Sequence, residues 1–82
     1  MTRTAMIETV RSILSHEIDI PAEELADDLR LADYHFDSID VIRMSIKFDN
    51  LFQIRVTPSE LAKAQTVIDV IDIMSMKFPK DR

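Results

Sequence analysis

Eighty-two residues with 46% hydrophobic side chains make one small folded domain and exclude a disordered chain. Such a chain buries only a modest core and is too short to wall off a deep, dry catalytic cleft, which favours a binding module over an enzyme. The net charge of −5 disfavours nucleic acid as a partner, and the absence of cysteine excludes disulfides and thiolate metal sites.

Glycine is absent as well. Glycine-rich phosphate loops are therefore excluded, and tight type I′ hairpins are disfavoured, so an all-α architecture is expected. No segment approaches the length of a membrane span, and no long apolar run follows Met1-Thr2-Arg3-Thr4. A cytoplasmic, unprocessed chain follows as the expectation, with residues 1–82 as a single domain.

Met6, Ile7, Val10, Ile13, Leu14 and Ile18 recur at helical spacing, so a first helix is expected from about Thr4 to Ile18. Pro21 blocks its continuation. The stretch from Asp19 to Asp37 lacks clear periodicity and reads as a long ordered loop, with a helical turn at Ala22 to Asp27 and with Leu25, Leu29 and Leu31 as anchors to the core. Loops of this length in small domains usually serve function. From Glu17 to Asp40 the chain holds nine acids and one base, Arg30, a local charge of −8 against +3 elsewhere. That concentration reads either as a solvated acidic loop or as a surface for basic partners.

Asp37 is placed to cap a second helix, with Asp40 three residues on in the manner of a capping box. This helix is expected to run to about Phe52. Thr57 and Pro58 start a short third helix, Pro58 to Ala64, with the proline at a first helical position. Thr66, with Asp69 three residues on, caps a fourth helix carrying Val67, Val70, Ile71, Met74 and Phe78, and Pro79 ends it. The fold expected is a small bundle of three main helices plus one short helix, with the long loop between the first and second. Of the five methionines, Met44 and Met74 read as pliable core filling.

The second helix carries two apolar stripes when residues 38–52 are placed at the helical period. Val41, Met44, Phe48, Leu51 and Phe52 form the larger one, which is expected to face the bundle. Ile39, Ile42 and Ile46 form the other, which is either buried against a second neighbour or exposed as an interaction patch. Asp40, Arg43, Lys47 and Asn50 make a polar stripe, and Ser45 and Asp49 separate the apolar stripes at the back.

Asp37-Ser38-Ile39-Asp40 therefore follows an acidic loop and opens an amphipathic helix. The tetrapeptide resembles the phosphopantetheine attachment motif of acyl carrier proteins, Asp-Ser-Leu followed by an acid. The likeness extends to the apolar first helix, the long acidic loop, the short third helix and the Thr66-Val67 start of the fourth. It implies a 4′-phosphopantetheine arm on Ser38, with Asp37 helping the transferase bind its metal and substrate. It implies no catalytic residue and no resident metal. Implied partners are a phosphopantetheinyl transferase, an acyl- or aminoacyl-loading ligase, and synthase or acyltransferase enzymes. These would approach Ile39, Asp40, Ile42, Arg43, Ile46 and Lys47, and the carrier itself is expected to be a monomer. A phosphodiester at a helix start would meet the helix dipole and free amides.

The implied function is a discrete carrier holding acyl intermediates as thioesters for fatty-acid, polyketide or specialised lipid synthesis. The alternative is an aminoacyl or peptidyl carrier loaded by an adenylating ligase; Asp40 after Ile39 leans toward the acyl class. A calcium-binding helical module lacks the central glycine and ligand spacing of an EF-hand, and a helical adaptor is the remaining alternative. Ser12, Ser15, Ser38, His16 and His35 form no recognisable triad. Two departures stand out. His35 occupies a position where the family commonly has glycine, so the loop must change shape or accept strain. Arg43 and Lys47 interrupt the acidic face usual on the second helix, which points to dedicated partners.

Overall fold

The computed structural model describes residues 2–78, in which four α-helices pack around one core. Helix α1, Arg3–Ile18, is capped by the Thr2 hydroxyl accepting from the Ala5 amide. It buries Met6, Val10, Leu14 and Ile18, a stripe at four-residue spacing. It ends at Asp19 in a left-handed conformation.

Helix α2, Ser38–Phe52, begins at the Asp37 cap and ends at Gln53, also left-handed. Helix α3, Pro58–Leu61, opens on a capping box between Thr57 and Glu60 with its proline in the first turn. Helix α4, Val67–Lys77, opens on the same device between Thr66 and Asp69. Phe78 then turns extended (φ −69°, ψ 131°), the backbone favoured before a proline. Pro79, the expected stop, lies outside the described residues.

The expected order of helices holds, with local differences that have physical causes. The expected turn at Ala22 to Asp27 is a shorter 3₁₀ turn, Ala22–Glu24, and a second 3₁₀ turn at Leu31–Tyr34 was not anticipated. Helix α3 stops at Leu61, three residues short of the expected Ala64, and a turn follows in which the Lys63 and Ala64 amides donate to the Glu60 and Leu61 carbonyls. The Leu31 amide donates to the Gln65 carbonyl (2.9 Å), and Arg30 and Thr66 form an isolated antiparallel bridge. Val67 N–H donates to Leu29 and Ile68 N–H to Asp27. The long loop thus supplies carbonyls to the amides opening α4, and Leu25 and Leu31 bury beneath it while Leu29 is half-buried.

The larger stripe of α2 faces inward, with one correction. Val41, Met44, Phe48 and Phe52 are buried, but Leu51 remains 50% exposed. Its expected place is taken by the polar back of the helix. Ser45 is buried, and its hydroxyl donates to the Val56 carbonyl at 2.6 Å, while Asp49 accepts from the Val56 amide at 2.8 Å. Val56 is wholly buried, so its backbone groups require partners, and α2 turns its two polar back residues toward them. Met44 and Met74 fill the core as expected.

Candidate functional site

Ser38 is the first residue of α2, and its side chain is exposed. The cap beneath it is a full capping box. Asp37 Oδ1 accepts from the amides of Ile39 (3.0 Å) and Asp40 (3.2 Å), and Asp40 Oδ2 accepts from the amide of Asp37 (2.9 Å). Two of the amides expected to be free at this helix start are thus already held by the Asp37 carboxylate.

His35 takes the left-handed conformation, φ 60° and ψ 32°, at the C-terminal end of the second 3₁₀ turn. The loop therefore keeps a glycine-like backbone and accepts the strain of a Cβ, which histidine tolerates better than most residues. Its side chain is exposed.

Beside Ser38 lies an open groove of about 370 Å³. Leu31, Ala32, Phe36, Val41, Ala62 and Ala64 line its apolar part; Arg30, Asp37, Ser38 and Gln65 supply the polar atoms. The Arg30–Thr66 bridge and the Leu31–Gln65 hydrogen bond close the wall carrying Arg30 and Gln65. An exposed hydroxyl beside a mainly apolar groove fits a long flexible arm bound through serine.

The isoleucine stripe is exposed: Ile39 by 56%, Ile42 by 48% and Ile46 by 56%. Of the two readings open from periodicity, burial against a second neighbour is the one the packing rules out. Arg43 and Lys47 also reach the surface, but they are not free charges. Both pair with Glu17 of α1, Arg43 at 3.3 Å and Lys47 at 3.8 Å, and Arg43 also lies 3.8 Å from Asp40. The Glu17 side chain is only 5% exposed. Burial first, and then hydrogen bonding with the Asp40 carboxyl, raises its pKa above the usual carboxylate range. Asp40 moves the other way, lowered by the hydrogen bond with Glu17 and by the Asp37 amide.

The structure brings Asp37, Ser38, Ile39, Asp40, Ile42, Arg43, Ile46 and Lys47 onto one helix start and its outer face. Sequence reasoning missed Glu17, although two cations a turn apart at Arg43 and Lys47 signal a carboxylate between them. It noted Arg30 as the lone base of the acidic stretch without placing it in the groove. Arg11 ties Asp27 to α1. Among the described residues, no group of three or more His, Cys, Asp or Glu side chains is arranged to hold a metal, and no helix is long and apolar enough to cross a membrane.

Comparison with known proteins agrees with this geometry. A family model described as "Phosphopantetheine attachment site" matches residues 8–74. "Acyl carrier protein 2" of Ralstonia nicotianae is 32% identical over 72 residues, covering 87% of this chain and 89% of that protein. The acyl carrier protein of Akkermansia muciniphila is 29% identical over 72 residues, covering 87% and 90% respectively. That of Thermotoga maritima is 25% identical over 78 residues, covering 94% and 96%. With a matching family model over most of its length and a bundle that presents a serine at the start of its second main helix, the chain belongs to the acyl carrier protein family, small carriers that hold 4′-phosphopantetheine covalently.

Proposed function

We propose that the chain is a single-domain, discrete acyl carrier that takes its arm on Ser38. The observation carrying this reading is the exposed Ser38 hydroxyl at the first position of α2, inside the Asp37–Asp40 capping box and on the edge of the groove. When bound, the arm supplies a terminal thiol on which cargo is held as a thioester. The chain's residues do the rest: the cap holds Ser38 outward, and the groove offers apolar cover to whatever Ser38 carries. Asp37 and Asp40 present carboxylates to a transferase, which brings the catalytic groups.

The partner face of this reading is the exposed ridge of Ile39, Ile42 and Ile46, flanked by Asp40, Arg43 and Lys47. An apolar ridge of this kind on a small protein marks a docking surface. The transferase, the loading ligase and the synthase or acyltransferase enzymes reach Ser38 across it. Arg43 and Lys47, held by Glu17, interrupt the acidic character of this face, in keeping with a dedicated lipid or polyketide pathway. The names of the relatives support acyl cargo over aminoacyl cargo.

Intact-mass measurement after co-expression with a broad phosphopantetheinyl transferase tests the site. The wild-type chain should gain one phosphopantetheine, and Ser38→Ala should fold yet gain none. A modified alanine variant would refute the assignment.

A further inference from the structure

Attaching an arm to Ser38 places a phosphodiester anion beside the carboxylates of Asp37 and Asp40, within the most acidic stretch of the chain. Nine acids and one base lie between Glu17 and Asp40. The usual relief for an anion at a helix start comes from free amides. Here those of Ile39 and Asp40 are held by Asp37, and that of Asp37 by Asp40. With these amides engaged, a cationic side chain is the stronger counter-charge the fold can offer the phosphodiester.

Arg30 is that side chain by position. It lines the same groove as Ser38, and it is the single base of the acidic stretch. Among the described residues the ion pairs engage Arg11, Arg43, Lys47 and Lys77, and Arg30 is in none of them. Arg43 and Lys47, the other cations near the start of α2, are drawn toward Glu17. The backbone of Arg30 is fixed from both sides. It bridges to Thr66, its carbonyl accepts from the Asp33 amide, and the next residue donates to Gln65. A guanidinium carried on so well-anchored a backbone loses less freedom on pairing than one on a mobile loop, and its planar donors suit phosphate oxygens.

We infer that Arg30 is a positioning residue for the arm, pairing with the phosphodiester at Ser38 and seating the arm's base in the groove that the two residues share. This rests on the assignment of the arm to Ser38. It has a consequence for the apo carrier: Arg30 is then an unneutralised cation beside an empty groove, and arming the chain changes its surroundings more than those of any other base.

The test compares apo and armed protein for wild type, Arg30→Gln and Arg30→Lys, each driven to complete loading and checked by intact mass. The arm is used bare, as its butyryl thioester and as its succinyl thioester. Two readouts are taken: the side-chain Nε–H resonance of each arginine, and the folding equilibrium from urea unfolding at low and high salt. Arming should shift the Arg30 resonance already with the bare arm. It should cost Arg30→Gln about two- to fivefold in folding equilibrium relative to wild type, the range of a partly exposed ion pair, with Arg30→Lys between them. High salt should erase the difference.

If arming leaves the Arg30 resonance in place and costs all three proteins alike, the inference is overturned. An effect confined to the succinyl form overturns it too, and assigns Arg30 to a cargo carboxylate instead. If wild type gains no mass, the Ser38 assignment and the inference fail together. A mass gain with an indifferent Arg30 sinks the inference alone.

Discussion

Reversing the two cations of α2, Arg43→Glu with Lys47→Glu, looks from sequence like a harmless surface change. The structure makes it a costly one, because both side chains converge on Glu17, whose side chain is only 5% exposed. The cations themselves are 61% and 46% exposed, so each pair lost is worth at most about 1 kcal/mol. Two such losses, with the new glutamates free to swing into solvent, set an upper limit of about 2 kcal/mol on the cost at pH 7. For a domain of this size a loss at that limit lowers Tm by about 8–16 °C. The Glu17→Gln background isolates the cause. There the same double change should cost only about 0.5 kcal/mol, as for an ordinary surface substitution. Urea unfolding of the four proteins in a double-mutant cycle at moderate salt measures the coupling. Lower pH should shrink it as well, since the raised pKa of Glu17 means it takes up a proton early on acidification. Equal costs in both backgrounds would refute the idea that Glu17 organises this face.

Other consequences can be checked on the same preparations. The Lys77 ammonium and the Thr57 amide hold Glu60 down to a pKa of about 2 from its ordinary 4.5. A depressed carboxylate adds stability at higher pH that is lost as pH falls from about 4.5 toward 2, so Glu60→Gln should flatten that limb of the stability–pH curve; an unchanged limb would contradict the pairing. His35→Gly should stabilise the apo chain by about 0.5 kcal/mol, the relief of a left-handed residue outweighing the extra freedom of glycine in the unfolded chain. A lower urea midpoint for that variant would show that His35 makes contacts outweighing the strain. Ser45→Ala should cost about 1–2 kcal/mol, because it strands the buried carbonyl of Val56, and a neutral result would mean that water replaces the hydroxyl.

Most element boundaries and the tetrapeptide at the centre of the site were legible in the sequence, because their causes are local. A cap is an interaction between a side chain and amides two or three residues on, and Asp37, Thr57 and Thr66 each announce one. Pro58 at the opening of α3 and the apolar spacing of α1 act over the same short range. The serine at the opening of α2 and the acids before it are properties of the chain order itself.

What the tertiary structure decided is which groups meet. The size of the larger stripe on α2 already pointed it inward, but the period left open whether the isoleucine stripe is buried as well. Only the packing left Ile39, Ile42 and Ile46 outside, kept Leu51 half exposed, and drew Ser45 and Asp49 toward the backbone groups of buried Val56. The basic residues of α2 read as free charges until α1 brought Glu17 between them, twenty-six residues before Arg43. Arg30 and Ser38 share a groove because the long loop hydrogen-bonds to the start of α4, an arrangement in which each partner is specified by a distant stretch of chain. Local signals fix where a helix begins, but the orientation of its faces is set by unsatisfied groups and surfaces far along the sequence, which a single chain order does not bring together until it folds.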